Sequence, residues 1–139
     1  MKNLPGAQII VTGHSLGGAV ASIIASYLRG LLNTPLGKLL LIIYGSPRLG
    51  NIAFTRQINK DIGVHNIFRV NFKQDPITRT PSLIFGYVHI GNQRTIECSS
   101  DKSCHVRVGK DHDTFIWNLL RKINEHLGYF KFSRAVSNL

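Results

Sequence analysis

The feature that most constrains this chain is a Gly-x-Ser-x-Gly pentad, Gly13-His14-Ser15-Leu16-Gly17, set between two strong local patterns. Before it, Gln8 to Thr12 is rich in β-branched residues and reads as a short strand. After it, Leu16, Val20, Ile23, Ile24, Tyr27, Leu28 and Leu31 recur at helical spacing, so Leu16 to about Leu32 reads as a helix. Asn33, Thr34 and Pro35 stop it. A serine on a sharp strand-to-helix turn is held in a strained backbone conformation, with its hydroxyl raised above the end of the sheet. The helix start behind it offers the Leu16 N–H and the positive end of a dipole, both suited to an oxyanion. The competing reading is a glycine-rich turn that cradles phosphate. That would need Gly-x-Gly-x-x-Gly or Gly-Lys-Ser/Thr, and neither is present.

The rest of the chain sets the fold class. Leu39-Leu40-Leu41-Ile42-Ile43-Tyr44 is apolar without alternation, the pattern of a strand covered on both faces of a parallel sheet. With the elbow it makes a βαβ unit. A short helix near Ile52 to Asn59, a strand from about Val64 to Phe72, a loop from Lys73 to Pro81 and a hairpin around Gly86 to Cys98 follow. Thr114 to Leu127 reads as a second long helix, with Phe115, Leu119, Ile123 and Leu127 on one stripe. The class is α/β, and 139 residues fit one domain, residues 1–139. Hydrophobic content of 43% against 17% charged residues excludes a disordered chain. No apolar run reaches the roughly 18 residues of a membrane-spanning helix. One feature conflicts with a simple strand order. Ile9, Ile10 and Val11 make the first strand apolar on both faces, yet that order puts it at the sheet edge, where natural proteins avoid apolar ladders. Either later strands wrap to cover it or further strands lie upstream, and the second is the favoured expectation.

Charge and cysteines bound the partners. The formal net charge is +10, from 17 Lys and Arg against 7 Asp and Glu. The basic residues are scattered, which suits a solvated surface and allows attraction to an anionic lipid surface. No nucleic-acid-binding motif accompanies them, so no nucleic acid partner is expected. Cys98 and Cys104 flank a polar, turn-like segment and read equally as a small disulfide loop or as two unpaired thiols. The histidines show no metal-ligand spacing, and neither metal nor cofactor is called for. Met1 to Gly6 contains no apolar signal core.

A serine nucleophile needs a base, and the base needs an orienting acid. In α/β-hydrolases these follow the nucleophile in the order acid, then His. Asp75, in Lys73-Gln74-Asp75-Pro76, lies just beyond the third strand, at the same edge of the sheet as Ser15. Its bland reading is a turn-forming Asp before Pro. Asp61 is the runner-up, near the opposite end of a strand. His89, His105, His112 and His126 all follow Asp75, and position alone does not choose among them. His14, the residue before the nucleophile, is expected to point away from the site.

A resemblance does choose. Gly13-His14-Ser15-Leu16-Gly17-Gly18-Ala19, then Tyr44-Gly45-Ser46-Pro47-Arg48-Leu49-Gly50-Asn51 with Phe54, then Phe68-Arg69-Val70 leading to Asp75-Pro76-Ile77, then Gly86-Tyr87-Val88-His89-Ile90-Gly91, and finally His126-Leu127-Gly128-Tyr129-Phe130 resemble the class 3, or fungal-type, lipases in order. The resemblance implies an α/β-hydrolase-type, mostly parallel sheet with flanking helices. It implies a Ser15, Asp75, His126 triad with Leu16 as one oxyanion donor, no cofactor, and hydrolysis of triacylglycerol or related lipid esters at a lipid–water interface. It implies a Cys98–Cys104 disulfide, a secreted enzyme, and a supporting role for Gly45 to Gly50. Family members are longer at the N-terminus, so the early strands, the lid and the second oxyanion donor have no counterpart to map here. Two alternatives follow: a truncated, inactive lipase remnant, and a basic lipid-binding module whose vesicle binding would survive Ser15→Ala.

Overall fold

A computed structural model describes residues 7–33, 35–72, 75–98, 104–109 and 126. The expected helix over Thr114 to Leu127 lies outside these residues apart from His126, which is helical. Five strands form one sheet in chain order: β1 (Ile9–His14), β2 (Leu39–Tyr44), β3 (Ile67–Phe72), β4 (Asn92–Cys98) and β5 (Cys104–Gly109). The first four are parallel to their neighbours, and β5 is antiparallel to β4. Helix α1 (Leu16–Leu31) connects β1 to β2, and α2 (Ile52–Ile62) lies between β2 and β3. This is the mostly parallel, helix-flanked α/β architecture that the sequence predicts.

The core explains the apolar run in β2. Leu39, Leu41 and Ile43 are fully buried on one face, with Ile67 of β3 beside them. Ala21 and Ala25 of α1 and Ile58 and Ile62 of α2 close over that face, so both helices lie on the same side, as right-handed crossovers require. Ser26 Oγ of α1 donates to Asp61 Oδ2 of α2 at 2.6 Å, and Gln57 Nε2 donates to its Oδ1 at 2.6 Å. Asp61 therefore ties helix to helix, away from the elbow.

Helix α1 packs through its small residues rather than its larger apolar ones. It buries Gly18, Ala19, Ala21, Ser22 and Ala25 and turns its larger apolar residues outward. Val20, Ile23, Ile24, Tyr27 and Leu31 are all exposed. The reason is distance: at Gly18 an added Cβ would stand 2.8 Å from Ser46 Cβ, so this helix approaches the sheet too closely for large side chains. Strand β1 is the edge of the described sheet, and Ile10 is 57% exposed on the face opposite the helices.

Three local boundaries differ from the sequence reading. Helix α2 continues to Ile62 and ends where Gly63 takes φ 88°. Asn51 starts it, accepting from Phe54 N at 3.0 Å. A 3₁₀ turn over Val64–Asn66 delays β3 to Ile67. The expected hairpin around Gly86 to Cys98 is also displaced. Val88 makes only an isolated bridge to Gly50, and the true hairpin is β4–β5. The polar sequence of β4 hid it, because a strand beside the sheet edge needs little apolar character. Cys98 and Cys104 stand opposite each other in the β4–β5 register, and their side chains lie outside the described residues.

Candidate active site

The elbow is built by backbone. Ser15 sits between β1 and α1 with φ 55° and ψ −130°, a region L-residues rarely occupy. Its N–H donates to Tyr44 O of β2 at 2.9 Å, and its carbonyl accepts from Gly18 N at 2.9 Å. Gly13 is demanded by proximity: a Cβ there would stand 2.2 Å from the Gly17 carbonyl oxygen. Serine in the N-cap position ordinarily accepts a bond from the first helical turn. Ser15 makes no such cap. Its hydroxyl instead meets His126 Nε2 at 2.8 Å. As the first residue of α1, Leu16 has no intrahelical acceptor for its N–H.

Asp75 is held by side chains. It follows β3 and is completely buried. Its Oδ2 is 2.8 Å from His126 Nδ1, and its Oδ1 accepts from Ile77 N at 2.9 Å. One carboxylate oxygen thus closes the turn, and the other faces His126. Thr78 Oγ1 donates to the Asp75 carbonyl at 2.8 Å. Behind this turn lies a buried polar set. Arg48, 3% exposed, donates Nη1 to the Arg79 and Pro81 carbonyls at 2.5 and 2.8 Å, and its N–H to Thr80 O at 2.7 Å. His89 Nε2 donates to Thr78 O at 2.6 Å. Burial, then the neighbouring Arg69 guanidinium, push the His89 pKa down to about 2, so it is a neutral donor. Arg48 belongs to the Gly45–Gly50 block, and its contacts are those of a support.

The four candidate histidines thus separate. His89 is a half-buried strap, His105 is exposed on β5, and His112 lies outside the described residues. Among the described residues, His126 bridges Ser15 and Asp75, with its side chain 13% exposed. An imidazole between a hydroxyl and a buried carboxylate can take a proton from one while the other stabilises the resulting cation. His14 does not point away, contrary to expectation. Its ring centroid is 4.8 Å from that of His126, with 31° between planes, and its Nε2 is 3.4 Å from the His126 carbonyl oxygen. Burial first, then His126, lower its pKa. Only the distant position of His126 in the chain hid this contact. Among the described residues, no group of three or more His, Cys, Asp or Glu could hold a metal, and no helix is long and apolar enough to cross a membrane.

Comparison with known proteins converges on one family. The family "Lipase (class 3)" matches residues 1–85. Secreted mono- and diacylglycerol lipase A of Penicillium cyclopium is 36% identical over 135 residues, 91% of this chain and 42% of its own length. Secreted mono- and diacylglycerol lipase 1 of Fusarium solani is 44% identical over 85 residues, 61% of this chain and 24% of its own. The crystal structure of the lipase from Rhizopus microsporus var. chinensis superposes with a TM-score of 0.70 at 28% identity, covering 88% of this chain and 43% of that one. The chain therefore spans less than half the length of these relatives.

Proposed function

The chain belongs to the class 3 lipase family, and on that premise we propose that it carries the nucleophile, base and acid of a serine hydrolase acting on lipid esters. The support that weighs most is the unbroken relay from Ser15 Oγ through His126 to buried Asp75, with both links at 2.8 Å. In this reading His126 Nε2 takes the Ser15 proton as the oxygen attacks the ester carbonyl. The Leu16 N–H, at the positive end of α1, donates to the oxygen that becomes negative. Asp75 holds His126 in the Nδ1–H tautomer and stabilises its cation. The alcohol leaves with the proton from His126, and an acyl-Ser15 ester remains. Water, activated by the same base, then frees the fatty acid.

Acylglycerols are the first substrates to try, since two of the relatives named above are mono- and diacylglycerol lipases. The exposed Ile84 and Phe85, with Ile52 and Phe54 near the Gly50–Val88 bridge, offer an apolar rim for meeting a lipid surface. The net charge of +10 adds attraction to anionic lipid. Residues 1–139 act as one domain in this reading, Cys98 and Cys104 close a disulfide at the β4–β5 turn, and the protein is secreted, as the two mono- and diacylglycerol lipases named above are. Ser15→Ala is expected to lower p-nitrophenyl ester hydrolysis by about 10³-fold or more while leaving vesicle binding unchanged. Full hydrolysis by the variant would overturn the assignment. Vesicle binding without hydrolysis in the wild-type chain would favour the lipid-binding alternative.

A further inference from the structure

The proton relay leaves one side chain at the site without a role. We propose that His14 is a positioning residue for His126, packing its ring on the base and donating Nε2–H to the base's own backbone carbonyl. The proposal rests on the reading of Ser15 and His126 as nucleophile and base. Both ring nitrogens of His126 are committed, Nδ1 to Asp75 and Nε2 to Ser15. Those contacts orient the ring, but they do not anchor the backbone that carries it, which comes from a segment 112 residues from His14 in sequence. The His14 contact supplies that anchor, because His14 adjoins Ser15 on the elbow. A carbonyl only accepts, so Nε2 of His14 carries the hydrogen. At 3.4 Å the bond is long, and the ring contact at 4.8 Å reinforces it.

The charge state fits the same role. When His126 takes the Ser15 proton, a second imidazolium beside it would oppose the new charge. Burial and the proximity of His126 favour neutral His14, while the Asp75 carboxylate and the His126 carbonyl pull the other way. Neutral His14 keeps its donor and adds no positive charge next to the base. Alanine would lose both contacts, whereas glutamine would keep a donor.

The test uses the chain as it stands, with p-nitrophenyl butyrate as substrate. His14→Ala is expected to lower kcat about tenfold with KM within about twofold, the scale of one hydrogen bond and one ring contact. His14→Gln is expected to recover part of that loss. A readout independent of turnover is the far-downfield Nδ1 proton of His126 in ¹H NMR. It should broaden or vanish in His14→Ala and persist in His14→Gln. A kcat within about twofold of wild type together with an unchanged resonance in His14→Ala would overturn the proposal, and no recovery in His14→Gln would overturn the donor assignment. Asp75→Asn separates the two levels: if the resonance survives that change, the relay itself is misread, whatever His14 does.

Discussion

The elbow that carries Ser15 and the turn that carries Asp75 stand at the same edge of the sheet but are held by different means. Ser15 is fixed by its own backbone: a positive φ, a bond to Tyr44 O across the parallel ladder, and a glycine contact too close for any side chain. Asp75 is fixed by side chains from elsewhere in the chain, above all Arg48 and His89, which brace the following residues through their carbonyls. The placement of Ser15 is thus local and compressed into a pentad, whereas that of Asp75 depends on a distributed polar set. Damage to the two should look different. The elbow should fail all at once, and the Asp75 turn should loosen by degrees.

The largest effect is expected at the elbow. Gly13→Ala drives a Cβ into the Gly17 carbonyl, where only backbone could give way, and should cost about 3 kcal/mol or more. Urea denaturation and fluorophosphonate labelling of Ser15 would measure it. A variant as stable and reactive as wild type would remove the backbone half of the comparison.

Arg48→Met comes next. It takes donors from the half-buried Arg79 and Pro81 carbonyls without opening a large void, and should destabilise by about 2 kcal/mol. Ser15 should keep its backbone geometry while kcat falls more than KM rises, as the Asp75 turn relaxes. Equal loss of labelling in both variants would show that the two regions fail as one unit.

The smallest effect at neutral pH is expected at His89, which instead gives stability a pH dependence. Folded His89 resists protonation down to about pH 2, whereas the unfolded chain takes the proton near the ordinary value of 6.5. The unfolded state therefore binds more protons between those values, and stability falls as pH drops through that window. The slope from this one group is about 1 kcal/mol per pH unit. His89→Gln, which keeps a donor for Thr78 O, should flatten the dependence between about pH 6 and 4 with little change at neutral pH. Chemical denaturation at several pH values would check it, and an unaltered slope would remove His89 from the strap.

The sequence was most readable where contacts are local. The strand–elbow–helix unit, the buried strand β2 and the order of elements all follow from periodicity over short stretches. The large apolar residues of α1 mark the helix, and the small residues between them, which allow the close approach to Ser46, are the ones buried. The sequence misled where the partner is distant in the chain. Polar β4 falls inside the hairpin expected around Gly86 to Cys98, whereas its partners are β3 and β5, in a ladder that no local pattern announces. His14 was expected to face away because a residue before the nucleophile has no local partner; its partner comes from His126.

By itself, the sequence determined the α/β class, the sharp strand-to-helix turn that carries Ser15 and the net positive charge, since each depends on neighbours within a few turns of chain or on composition alone. Family resemblance singled out His126 from four histidines that spacing left equivalent. Only the tertiary structure decided how Asp75 is braced, that Asp61 serves the helix pair, and that His14 lies on His126. Those contacts join residues tens of positions apart, and their geometry exists only once the sheet has set the distances between its strand ends.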